Sequence, residues 1–97
     1  MTIVSLLDFR VRPDRMDGAD AAIAEVLAAT RAFPGCVGLQ VLRDTDDAAH
    51  VVVVETWESL AHDDAYRAWR GTPEGASRFG EILDGRPTLT RLDVTDI

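Results

Sequence analysis

Lysine is absent from this 97-residue chain, and all ten basic residues are arginine. No side-chain amine is therefore available for a Schiff base or a phosphate-loop contact, which removes several enzyme mechanisms. The single cysteine, Cys36, cannot close an intramolecular disulfide, so a small core must rest on packing, helped by a partner chain if there is one. With only His50 and His62 beside that cysteine, no metal-ligand spacing is present and no metal site is expected. Cys36 follows a turn glycine and reads as a small packed residue rather than half of a Cys-His nucleophile pair. The seven glycines are scattered and none opens a helix in a phosphate-binding fingerprint.

Long apolar runs are also missing. The four valines 51–54 fall far short of the roughly 20 residues a membrane-spanning helix needs. No basic region or small-residue cleavage site marks the N-terminal segment, so a cytoplasmic protein is expected. Acidic residues outnumber basic ones 17 to 10, a formal net charge of -7. Phosphate backbones and anionic lipid are repelled by that charge, and neither nucleic acid nor a membrane is an expected partner.

What is present reads as one domain spanning residues 1–97, since 46% hydrophobic and 28% charged residues match globular averages. Residues 2–12 alternate as a strand, with Leu7, Phe9 and Val11 on one face. After Pro13, the positions Met16, Ala19, Ile23, Val26, Leu27 and Thr30 follow helical spacing, with Asp14 or Asp17 as N-cap. Phe33-Pro34-Gly35 ends that helix, a second strand covers residues 36–44, and residues 45–49 form a hairpin connection to a valine-rich strand over residues 50–57. Ser59 caps a helix over residues 60–70, and Thr72-Pro73 begins another that carries Ala76, Phe79, Ile82 and Leu83. A last strand over residues 88–94 completes a β-α-β-β-α-β order, an α+β ferredoxin-like fold with a four-stranded antiparallel sheet. Ile3, Val4, Leu6 and Leu7, like the four valines, are apolar at both parities, so both faces of the central strands are dry. The helices cover one face, and a homodimer packed sheet against sheet is expected to cover the other.

The residues with chemical potential gather around the third strand. Trp57 ends it, and His62, Tyr66 and Trp69 form one stripe of the helix that follows, at i, i+4 and i+7. Either these aromatics line a flat pocket with N-H, O-H and imidazole hydrogen bonds for a planar aromatic molecule, or they are core residues with polar tips at the rim. Glu55 shares a strand face with Val53 and Trp57; on a dry face its carboxylate acts as a base or needs a cation, for which Arg10, Arg12 and Arg91 are the sheet candidates. Phe79 joins Val53 as an apolar wall of the candidate pocket. Arg67, Arg70 and Arg78 lie close to Tyr66 in sequence, and Asp44, Asp46 and Asp47 read as turn formers and solvated surface.

The strings PGCVGLQVLRD, VVVVETWES and AYRAW together resemble the antibiotic biosynthesis monooxygenase family across nearly the whole chain. The resemblance implies a dimeric α+β barrel. Where haem-degrading relatives use an asparagine, a tryptophan and a histidine, this chain has Leu7, Tyr66 and Ala76, so haem is not implied as a cofactor. Quinol-type relatives place a histidine in the second helix, where Tyr66 stands here with His62 one turn earlier. Cofactor-independent oxygenases of aromatic polyketide pathways share the W-E-S tryptophan and the A-Y-R tyrosine, matched by Trp57 and Tyr66, although their strand asparagine is Val53. The resemblance implies a monooxygenase without cofactor acting on a polyketide- or quinol-like aromatic with O2. In it Trp57 donates to one substrate oxygen and Tyr66 holds a second or relays a proton, while His62, Trp69, Glu55, Val53 and Phe79 contact substrate. The alternatives are a module of the same fold that binds a hydrophobic ligand without chemistry, or one that only dimerises.

Overall fold

The structure, a computed structural model, describes residues 2–97, and among these residues it has four strands and two α-helices. Strand β1 is Ile3–Arg10, helix α1 is Ala19–Ala32, β2 is Cys36–Asp44, β3 is Asp47–Trp57, α2 is Leu60–Arg70 and β4 is Thr88–Asp93. The sheet order is β2-β3-β1-β4 with every neighbouring pair antiparallel, which is the ferredoxin-like arrangement. Branched valines favour the long central β3, and the Ser59 hydroxyl caps α2 by accepting from the His62 N-H at 3.2 Å.

The first and last strands are shorter than the expected 2–12 and 88–94, ending at Arg10 and Asp93, and three further boundaries differ from the sequence-based expectation. Helix α1 starts after Gly18, whose φ of +82° no side chain supports as a cap, and Pro13–Arg15 forms a separate 3-10 turn, so neither Asp14 nor Asp17 caps it. Pairing of Asp44 with Asp47 pulls residues 47–49 into β3, which shortens the hairpin loop to Thr45-Asp46. The helix expected after Pro73 is reduced to a 3-10 turn, Phe79–Ile82, with no side-chain cap. Gly75 and Gly80 interrupt that stretch, and so short a segment cannot repay helix nucleation.

One sheet face lies under the helices. Phe9, Val51, Val53 and Leu39 pack there against Ile23 and Leu27 of α1, while Ile3 and Trp57 pack near Tyr66 of α2. The opposite face carries Val4, Leu6, Val52 and Val54, half-buried, flanked in register by Leu42 and Leu92, which are 48% and 45% exposed. No helix of the described residues is long and apolar enough to cross a membrane.

Gly35 turns the chain between α1 and β2 with φ +90°, and a β-carbon there would lie 2.3 Å from the His62 ring. Both the left-handed backbone and the clash oppose any side chain. Gly35→Ala is expected to cost about 2–4 kcal/mol in urea unfolding; a cost below about 0.5 kcal/mol, the range of a neutral surface change, would show that the turn relaxes freely.

Candidate functional site

Between the sheet, α1, α2 and the irregular segment after α2 lies a cavity of about 450 Å³. Leu7 and Val53 form its floor, Ile23 and Leu27 one wall, and Phe79 and Leu83 another. Five polar residues line this otherwise apolar space: Glu55 from β3, Tyr66, Arg67 and Arg70 from α2, and Ser77 from the segment that follows.

Glu55 is 1% exposed. Its Oε1 accepts from the Trp57 indole N-H at 3.1 Å and from Arg67 Nη2 at 2.5 Å. Among the described residues Oε2 accepts no hydrogen bond. Register explains the placement, because Glu55 sits opposite Ser5, which sits opposite Arg91, so three strands present one polar row beneath α2. Asp63 descends from α2 onto that row, fully buried. Its Oδ2 accepts from the Ser5 hydroxyl at 2.8 Å and lies 2.9 Å from Arg91 Nε, while Oδ1 is 3.0 Å from Arg67 Nε. That last contact is poorly aligned, and neither atom has another hydrogen-bond partner. Arg91 also pairs with the surface carboxylate of Asp64, and this neighbour raises the guanidinium pKa. Charges bury here because each touches an opposite charge, the condition for an ion pair to survive out of water.

Tyr66 is anchored rather than free. Its oxygen accepts from Arg70 Nε at 2.8 Å and lies 2.7 Å from Thr30 Oγ1. Thr30 Oγ1 also lies 3.5 Å from the Val26 carbonyl, and either hydroxyl of the Tyr66–Thr30 pair can serve as donor. The Tyr66 ring stacks 5.0 Å from Trp57, and Phe33 packs edge-on against both. Removing the hydroxyl leaves Arg70 Nε and Thr30 without that partner; Tyr66→Phe is expected to cost about 1–3 kcal/mol, read by chemical unfolding. An unchanged midpoint would mean that water replaces the hydroxyl.

The structure thus brings Glu55, Tyr66, Val53 and Phe79 to the cavity wall. Trp57 is fully buried behind Glu55 with its N-H engaged by that carboxylate. Trp69 borders a neighbouring cleft of about 290 Å³. His62 is near the N-terminus of α2, with Nδ1 2.6 Å from Ser59 Oγ, and does not line the cavity. The cation beside Glu55 is Arg67, not Arg10, Arg12 or Arg91, since α2 and not the sheet supplies it. Arg70 faces Tyr66, whereas Arg78 pairs with Glu81 at the surface. Arg67, Arg70, Asp63 and Thr30 were not singled out as site residues by sequence reasoning; the 63, 66, 67, 70 spacing on one helix face was the available signal. Among the described residues no group of three or more His, Cys, Asp or Glu side chains is placed to hold a metal ion.

On the sheet's opposite face, His50 lies between Asp44 (2.8 Å) and Asp8 (3.0 Å). The bond to Asp44, then that to Asp8, raises the His50 pKa above 6.5, and His50 in turn lowers that of Asp44. A raised histidine stabilises the fold fully below its unfolded value and loses that contribution as pH rises through its folded value. The urea midpoint is expected to fall as pH rises past the ordinary histidine value of about 6.5, and His50→Gln to flatten the fall. A native midpoint that is flat over that rise would contradict the pairing.

The antibiotic biosynthesis monooxygenase family model matches residues 2–77. No curated protein matches the chain. Among solved structures, the chain is similar to Rv0793 from Mycobacterium tuberculosis, with TM-score 0.79, 24% identity and coverage of 100% of this chain and 98% of that one. It is also similar to a variant of SnoaB, a cofactor-independent oxygenase from Streptomyces nogalater, with TM-score 0.82, 16% identity and coverage of 99% and 95%. A third neighbour is described as an antibiotic biosynthesis monooxygenase, with TM-score 0.76, 23% identity and coverage of 98% and 99%.

Proposed function

The chain belongs to the antibiotic biosynthesis monooxygenase family, and from that premise we propose that it oxidises a small planar aromatic, polyketide- or quinol-like, with O2 in the cavity over Glu55, without metal or flavin. One observation carries the proposal: a fully buried carboxylate faces an otherwise apolar cavity with one oxygen held by Trp57 and Arg67 and the other free. The similarity to a structure named as a cofactor-independent oxygenase supports the same reading.

Turning a ring CH2 into C=O with one O2 releases the second oxygen atom as water, so the substrate supplies all four electrons and no external reductant is needed. The protein's part is to take a proton and to stabilise the anion. Glu55 Oε2 is the base, fixed by the Trp57 N-H and Arg67; Trp57 is thus a positioning residue. Arg67 faces the same space as the anion that forms, and Val53, Leu7 and Phe79 exclude water. The Tyr66 ring offers a flat wall. His62 and Trp69 act from outside the cavity by holding α2 and the aromatic cluster in place.

A second copy of the chain, packed on Val4, Leu6, Val52 and Val54, covers the other sheet face and completes a homodimer. Val54→Asp is expected to convert a dimer to a monomer in sedimentation velocity, since an unpaired charge would be buried at the contact. A native monomer at micromolar concentration would contradict this assembly.

The engaged Trp57 N-H and Tyr66 O-H favour one alternative, a module that binds an aromatic ligand without chemistry. Oxygen uptake with anthrone separates the two. The enzyme reading predicts uptake well above the protein-free rate, and uptake equal to that rate would overturn it.

A further inference from the structure

We propose that the cavity takes an aromatic acid, with Arg70 as the receptor for a carboxylate on the ring. This rests on the reading of the cavity as a site for planar aromatics and adds the charge of its occupant.

The arginines around the cavity have unlike surroundings. Arg67 has Glu55 and Asp63 as neighbours, and Arg91 has Asp63 and Asp64. Among the described residues no carboxylate lies within 4.0 Å of Arg70, which is half-buried and lines the cavity. Its acceptors are all neutral: the Tyr66 oxygen at 2.8 Å, the Val26 carbonyl at 2.8 Å, Thr30 Oγ1 at 3.1 Å and the Gly75 carbonyl at 3.2 Å. These come from α1, α2 and the segment after α2, so the guanidinium plane is fixed from three sides. The Tyr66 and Trp69 ring faces, about 5 Å away, offset part of the charge. A guanidinium has five N-H donors, and four are engaged here. The remaining Nη1 proton has no acceptor.

A half-buried cation without a counter-ion carries a desolvation cost that an arriving anion relieves. Glu25 and Glu74 border the neighbouring cleft that shares Arg70, but neither comes within ion-pair distance. Glu55 is held by Arg67. The anion that the cavity admits is therefore one brought by its occupant, and a carboxylate oxygen can accept the one free Nη1 proton in a single charge-assisted hydrogen bond.

The test is calorimetric titration of the native protein and Arg70→Gln with 1-naphthoate and with its neutral isostere 1-naphthamide. The native protein is expected to prefer the acid by about tenfold or more, the worth of a charge-assisted hydrogen bond. Arg70→Gln should abolish that preference while leaving affinity for the amide, and Arg70→Lys should restore part of it. Equal native affinities overturn the proposal, as does a preference that survives Arg70→Gln. If Arg70→Gln does not fold, a structure of the native protein with 1-naphthoate decides: a carboxylate on Arg70 supports the assignment, and one elsewhere ends it. Native protein that oxidises anthrone yet binds both probes equally loses this inference alone, whereas failure to bind either probe removes the aromatic site with it.

Discussion

Arg67→Met is expected to lower the free energy of unfolding by about 3–5 kcal/mol, the usual cost of breaking a buried ion pair from one side. The methionine keeps the apolar stem but leaves Glu55 without its cation and Asp63 with only Arg91. Both carboxylates are at most 1% exposed, so their charge is compensated by the guanidinium and not by bulk water. The neutralising change Glu55→Gln made together with Arg67→Met should recover part of the loss, because one of the uncompensated charges is gone. Urea unfolding of the single and the double variant measures this. A loss below about 1 kcal/mol for Arg67→Met, the worth of an exposed pair, would mean that the network is solvated.

Glu55→Gln alone should have its largest effect on turnover. The amide oxygen can still accept from Trp57 and Arg67, so the fold is kept, but no base remains at the cavity wall. Loss of a general base lowers kcat by about 100- to 10,000-fold. The Michaelis constant should change little, since the ring is held by Val53, Phe79 and Tyr66. A fall in kcat below about tenfold would assign proton removal to another group or to solvent. Trp57→Phe should fall between native and Glu55→Gln, because it loosens the carboxylate without removing it.

Much of the architecture was legible in the chain because it rests on local rules. Alternation fixed β1, the valines fixed β3, Pro34-Gly35 ended α1, and Ser59 marked the start of α2. Glu55 was legible as a carboxylate on a buried face. Its partner was not, because an Asp63 and Arg67 pair at i, i+4 on a polar helix reads as solvated surface. Only the register of β3, β1 and β4 places Ser5 and Arg91 beneath them and turns that pair into core. Trp57 and Glu55 share a strand face, and alternation says nothing of which faces the cavity and which stands behind. Phe79 reached the wall although its segment is a 3-10 turn, since the hydrophobic contact with Phe9, at 4.8 Å between ring centroids, holds it without a helix.

The central claim, that the cavity inserts one oxygen atom from O2 into an aromatic, is tested most directly by anthrone turnover under 18O2 with mass analysis of the quinone. One labelled oxygen per product molecule is expected, formed by the native protein and nearly abolished by Glu55→Gln. Product carrying no label, or label appearing no faster than without protein, would contradict it.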